Sequence, residues 1–188
     1  DLSDICEEPE VAGPGFINFK FTPLFYAKAL GNILEKGENY GGSDEGGGKT
    51  VNVEYVRVNP TGLLHLGHGR NAAIGDTVAN LYEWTGHKVT RDYYFNNAGS
   101  QMTKLANSIY ARYRQQLGEE DYPFPEDGYH GEYIKEIAGE IIEKHGEKYE
   151  QGFFQDISEI RKFGENWCFE RIRKTLLRMN IRQNNFFN

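Results

Sequence analysis

Long apolar runs are missing from this chain, and cysteine, methionine and tryptophan are scarce, at two residues each. A membrane-spanning helix needs ~20 consecutive apolar residues, so none is expected. Residues 1–20 show no basic start followed by an apolar core, so no secretory signal is visible. Cys6 and Cys168 are too few for a disulfide framework and suggest a reducing, cytoplasmic setting. A basic excess is also lacking: the net charge is −7 over 188 residues, whereas a dedicated nucleic-acid binder is more often basic. What the chain has is rings, with twelve Tyr and twelve Phe. Its 38% hydrophobic and 26% charged residues fit a soluble globular protein, one domain with part of a second. A chain of this length can bury ~70% of its unfolded surface without a staple.

The charge is blocked rather than mixed. Residues 119–158 hold twelve acids and three bases, and residues 159–182 hold seven bases and three acids. Such blocks read first as solvated faces, with a polyanion site as the alternative at the basic one.

Residues 11–21, VAGPGFINFKF, read as a short, mostly buried strand after a Gly-Pro-Gly turn. Thr22-Pro23 starts a helix that runs to about Glu35 and stops at Gly37. Residues 37–48 contain six Gly and read as a flexible linker and domain boundary. Residues 51–58 alternate as a strand, broken by Asn59-Pro60-Thr61-Gly62. A helix is expected from Leu66 to Trp84, with Ile74, Val78, Leu81 and Tyr82 on its apolar face. Residues 88–95 form a second strand. Strand, helix and strand make a right-handed βαβ unit with parallel strands. Beyond it lie helical periods over Met102–Tyr113, Tyr133–Ile142 and Ile157–Met179.

Three nucleotide-type signals compete. Gly48-Lys49-Thr50 ends like a P-loop, but Ser43 stands where the first Gly belongs, and a strand follows instead of a helix. Gly67-His68-Gly69-Arg70-Asn71-Ala72 fits a dinucleotide fingerprint, but eight residues separate it from the strand. His65-Leu66-Gly67-His68 sets two imidazoles at a helix start, where first-turn N–H groups and the helix dipole favour an anion. Donors so placed suit charge developing on a phosphate under attack. A metal pair or plain surface histidines are the alternatives. A zinc site wants a third ligand, and none is near in sequence, so no dedicated metal site is expected.

His65-Leu66-Gly67-His68 resembles the HIGH signature of class I aminoacyl-tRNA synthetases. Its surroundings narrow the likeness. Val53-Glu54-Tyr55-Val56, Asn59-Pro60-Thr61-Gly62, HLGHGRNAAIGD (65–76), the stretch from Tyr93-Tyr94 to Gln101, DGYHGEYIKEIA (127–138) and VAGPGFINF (11–19) together resemble the bacterial-type arginyl-tRNA synthetase family. The resemblance implies an α/β fold: the first half of a Rossmann-like parallel nucleotide-binding sheet, with a helical insertion at about 101–150. Residues 1–46 would be the end of a small α+β N-terminal tRNA-contacting domain plus the linker, and 47–188 the first part of the catalytic domain. The implied activity is arginine–tRNA ligation. L-arginine and ATP, with Mg2+ accompanying the nucleotide, give arginyl-adenylate, and the arginyl group then moves to the 3′ end of tRNA(Arg). The intact enzyme would be a cytoplasmic monomer.

The resemblance also implies roles. His65 and His68 would stabilise the ATP phosphates, Gly67 and Gly69 would admit the nucleotide to the backbone, and Asn59 would help hold the substrate's α-amino group. Glu54 would grip the guanidinium, whose planar fork suits a carboxylate; an ordinary strand ion pair is the competing reading. Asn97 and Gln101, placed in a loop after the second strand, would face the same cleft. Tyr129 and His130 would serve packing. Two residues depart from the family pattern: Arg57 stands where a small Ser is common, and Asn97 where Asp is often found. Arg57 either points away from the site or pairs with an acid such as Glu54. The chain also contains no second, Lys-Met-Ser-Lys-Ser-like signature. It therefore reads as a fragment inactive alone, the alternative being a catalytically silent paralogue that binds tRNA or a protein partner.

Overall fold

A computed structural model describes residues 2–188 and shows a mixed α/β chain. In chain order the elements are β1 (Glu10–Ala12), β2 (Phe16–Asn18), α1 (Pro23–Lys36), β3 (Thr50–Glu54), α2 (Leu66–Trp84), β4 (Lys88–Tyr94), α3 (Ser100–Gln116), α4 (Glu132–His145), α5 (Phe154–Arg178) and β5 (Asn185–Phe187). No helix among the described residues is long and apolar enough to cross a membrane.

The N-terminal segment departs from the expected single buried strand. Gly13 and Gly15 both take positive φ and turn the chain, so β1 and β2 form an antiparallel hairpin pairing Glu10 with Asn18. Phe16, Ile17 and Phe19 are exposed. Helix α1 begins as expected: Thr22 Oγ1 accepts from the Phe25 N–H at 3.1 Å, with Pro23 in the first turn. It ends at Gly37, φ 51°.

The glycine-rich segment is not a free linker. Its backbone is bonded to the turn after α2: Ser43 N to Trp84 O at 3.0 Å, Gly46 N to Thr85 O at 2.8 Å and Gly48 N to Gly86 O at 2.9 Å. Gly46 is buried, and a Cβ there would collide with the His87 imidazole. Its glycine is needed for close packing rather than for flexibility.

The central sheet has order β3-β4-β5, all parallel, one strand more than the sequence reading supplied. β3 pairs Thr50–Glu54 with Lys88–Asp92, and β5 pairs Asn185–Phe187 with Asp92–Tyr94. Side chains of Val51, Val53, Arg91, Tyr93 and Phe186 fall on one face by the two-residue period, and Asn52, Glu54, Asp92, Tyr94 and Asn185 on the other. On the second face Asp92 accepts from the side-chain amides of Asn52 and Asn185, a polar ladder across all three strands.

α2 crosses over to join β3 to β4 but inverts the expected amphipathic face. Ile74, Val78, Leu81 and Tyr82 are exposed, while Ala72 and Ala79 are fully buried. The inward-facing stripe is Ala72, Gly75 and Ala79, and a Cβ on Gly75 would run into the Tyr55 ring. Close approach of helix to sheet selects the smallest residues, so counting bulky apolars points to the wrong side.

Two cores result. Met102, Leu105, Ile109 and Tyr113 of α3, Ile134, Ile137, Ala138 and Ile141 of α4, and Ile160, Trp167 and Cys168 of α5 fill the first. Tyr55, Val56, Ala72, Tyr93, Phe169, Ile172, Leu176 and Ile181 fill the second. α5, 25 residues long, contributes to both. Burial pushes the Cys168 thiol up to about 12, so it is inert packing.

Gly75→Ala should destabilise the chain by about 1–3 kcal/mol, the usual range for overpacking, read from the midpoint of denaturant unfolding. An unchanged midpoint would contradict the packing of α2 on Tyr55.

Candidate functional site

β3 ends at Glu54, not at Val58 as the alternation suggested. Val56 (φ 74°) and Arg57 (φ 54°) both adopt left-handed backbone. A β-branched residue there is a genuine outlier, costing of order 1–3 kcal/mol. The surroundings hold the reversal in place. The Val56 N–H donates to Asn71 Oδ1 at 2.6 Å, and Tyr55 OH donates to Asp76 at 2.9 Å, both acceptors on α2. Tyr93 OH, from β4, donates to Val58 O at 2.8 Å. Tyr133 OH, from α4, donates to Thr61 O at 2.8 Å. Burial raises the pKa of Tyr55, Tyr93 and Tyr133, so all three stay protonated donors.

Asn59 joins this loop to the one after β4. Its Oδ1 accepts from the Asn96 N–H and its Nδ2 donates to Gln101 Oε1, each at 2.8 Å. Gln101 lies in the first turn of α3 rather than in the loop. Asn97 turns toward α5, donating to Glu165 Oε1 at 2.8 Å and accepting from Asn188 at 2.8 Å, while Arg161 donates to its backbone carbonyl. The structure thus brings Asn59 and Gln101 together and ties Asn97 to a helix.

His65 and His68 cap α2 reciprocally. The Gly67 N–H donates to His65 Nδ1 at 3.1 Å, and the His65 N–H donates to His68 Nδ1 at 3.2 Å. The rings stack with centroids 3.5 Å apart and planes at 22°. Gly67 makes this possible, since a Cβ there would meet the His65 ring at 3.0 Å. Gly69 faces open space. An Nδ1 that accepts carries no proton, so the bond pattern assigns Nε2–H to both rings. Burial, then the His65 charge, lowers the His68 pKa.

Glu54 pairs with Arg57, Oε1 to Nε at 2.9 Å, which is one of the two placements expected for that cation. The Arg57 guanidinium also sits over the Tyr94 ring, 5.1 Å from its centroid. Tyr94, Asn71, Asn96, Tyr133, Arg161 and Glu165 were not singled out in sequence. Asn71 lies within the motif helix and could have been. Glu165 is 68 positions from its partner, and no local pattern connects them.

Long-range proton–nitrogen NMR at neutral pH should show both rings as Nε2–H tautomers. The folded His68 binds its proton more weakly than the unfolded side chain, whose pKa is ~6.5. That contribution to stability is present above pH ~6.5 and is lost as pH falls toward the folded value. A His68 midpoint above the ordinary value would contradict the cap.

The family model described as tRNA synthetases class I (R), catalytic domain, matches residues 29–185. A curated arginine–tRNA ligase of Prosthecochloris aestuarii is 43% identical over 98% of this chain and 33% of its own length. One of Chlorobium limicola is 46% identical over 97% of this chain and 32% of its own. The chain therefore spans about a third of the length of the curated relatives it matches. A solved Campylobacter jejuni structure, assigned as an arginyl-tRNA synthetase, superposes with a TM-score of 0.78 at 29% identity, covering 87% of this chain and 36% of that one. With the histidine pair seated where the crossover helix starts, and the model match running from α1 into β5, the chain belongs to the class I tRNA synthetase (R) catalytic-domain family.

Proposed function

We propose that the full-length protein is an arginine–tRNA ligase, and that residues 47–188 carry the first part of its catalytic domain. The observation that carries the reading is the reciprocal imidazole cap at the start of α2, beyond the carboxyl end of β3. Ligands of parallel sheets bind at this end.

In this reading ATP, with its accompanying Mg2+, places its phosphates against the head of α2. The Nε2–H groups of His65 and His68 donate to phosphate oxygens as the arginine carboxylate attacks the α-phosphorus and pyrophosphate leaves. Gly69, open to solvent, lets the nucleotide approach the backbone, as Gly67 does in the gap beside His65. Asn59 and Gln101, already bonded to each other, hold the arginine α-amino group with spare amide capacity. Glu54 takes the guanidinium, and Asn97, held by Glu165, lines the cleft. Residues 1–46 close a small N-terminal domain that meets tRNA(Arg), to whose terminal adenosine the arginyl group is passed. The two buried thiols accord with a cytoplasmic setting, and the proposed acting unit is a monomer.

A silent tRNA- or partner-binding paralogue is the second reading. The observation favouring it is the Arg57–Glu54 pair, which occupies the carboxylate proposed for substrate.

Pyrophosphate exchange by the full-length protein, supplied with arginine, ATP and tRNA(Arg), separates the two. Arginine-dependent exchange is expected; exchange with another amino acid, or none, ends the ligase reading. His68→Ala in that protein should lower kcat by about 10²–10³-fold, the usual effect of losing one transition-state donor, while arginine affinity stays within about threefold. Equal losses in both would contradict the role.

A further inference from the structure

We infer that Arg57 is an internal occupant of the guanidinium seat made by Glu54 and Tyr94, so that substrate arginine binds by displacing it. The inference rests on the arginine–tRNA ligase reading above. A carboxylate beside an aromatic face is a recognition site for a planar cation. Both parts are present at the ends of adjacent parallel strands. Glu54 closes β3, its register partner on β4 is Asp92, and Tyr94 lies two residues on, on the same face. Arg57 already makes both contacts, Nε to Glu54 Oε1 at 2.9 Å and guanidinium carbon to the Tyr94 centroid at 5.1 Å.

The occupant is suited to leave. Its side chain is 60% exposed and that of Glu54 36% exposed, so either can be rehydrated without opening a core. Arg57 touches the carboxylate through Nε, at the stem side of its fork. A free substrate can offer the edge carrying two parallel N–H groups, which binds a carboxylate bidentately. Exchange of one guanidinium for the other leaves the charge on Glu54 compensated throughout. A lysine-type ammonium has no such planar edge and competes less well, so the device raises the threshold for entry and favours the right cation.

The opposite role makes the opposite prediction. If Arg57 instead holds the substrate carboxylate or a phosphate, its removal weakens binding. Steady-state pyrophosphate exchange by the full-length protein decides between them, using Arg57→Ser and Arg57→Gly. Glycine accepts the positive φ at this position without strain, which keeps one variant foldable; thermal melting confirms folding. Both should lower the arginine KM about three- to thirtyfold, the range spanned by an exposed ion pair together with a cation–π contact, with kcat within about twofold. An unchanged or raised KM in folded variants overturns the inference while leaving the ligase reading standing. Absence of arginine-dependent exchange in the unsubstituted protein removes the ligase reading itself.

Discussion

The site depends on one backbone event, the left-handed reversal at Val56 and Arg57. Without it β3 would continue toward Val58, and the residues leading to His65 would leave the sheet in another direction. The reversal is unfavourable locally and persists because four side chains from three other elements hold it. Asn71 and Asp76 bind it from α2, Tyr93 from β4 and Tyr133 from α4. Each anchor is a side-chain amide, carboxylate or phenol held by its own helix or strand, so the loop inherits the rigidity of three packed elements. A strained segment fixed in this way marks a place where geometry matters more than local stability.

α5 extends that dependence to the whole chain. Its first half closes the α3–α4 core, and its second half lays Phe169, Ile172 and Leu176 against the sheet. From the first half Arg161 and Glu165 reach Asn97, in the loop that also supplies the Asn96 N–H to Asn59. The helical unit and the sheet therefore meet beside Asn97. A shift of α5 would move Asn97 directly and Asn59 through one intervening residue.

Much of this was legible in the sequence, for reasons that differ by element. α4 and α5 announced themselves because bulky residues at helical spacing do face a core there. α2 misled because its sheet-facing stripe is Ala72, Gly75 and Ala79, which carry almost no hydrophobic signal. β3 is drawn too long from sequence because Tyr55, Val56 and Val58 keep a strand-like composition past the point where the backbone reverses at Val56. The glycine-rich segment looked loose because composition does not reveal that Gly46 packs against His87. β5 was missed because three residues, Asn185–Phe187, set no period. At the site, the His65–His68 pair, Asn59 and Glu54 stood out by motif and resemblance. Tyr94, Tyr133 and Glu165 act across folds of the chain, and local reasoning cannot find them.

The chemistry of the cap explains why these two positions call for imidazole. The head of α2 presents N–H groups that need acceptors, while the phosphate of the proposed nucleotide would need donors. Lysine donates but cannot accept, and a carboxylate accepts but adds negative charge against the incoming anion. A hydroxyl is too short to cap the helix and still reach outward. Neutral imidazole accepts on Nδ1 and donates on Nε2, on opposite sides of one rigid ring. Through it the positive end of the helix is passed outward as a polarised N–H···N–C–N–H chain. Keeping the rings neutral is part of the arrangement, since a proton on Nδ1 would break the cap and set a cation against the dipole. The lowered His68 pKa follows from the same geometry: burial and the neighbouring ring both oppose a second proton. Apart from the hydroxyls, Asn and Gln also accept and donate without charge, but their amides bring the two functions to one end instead of spanning the gap.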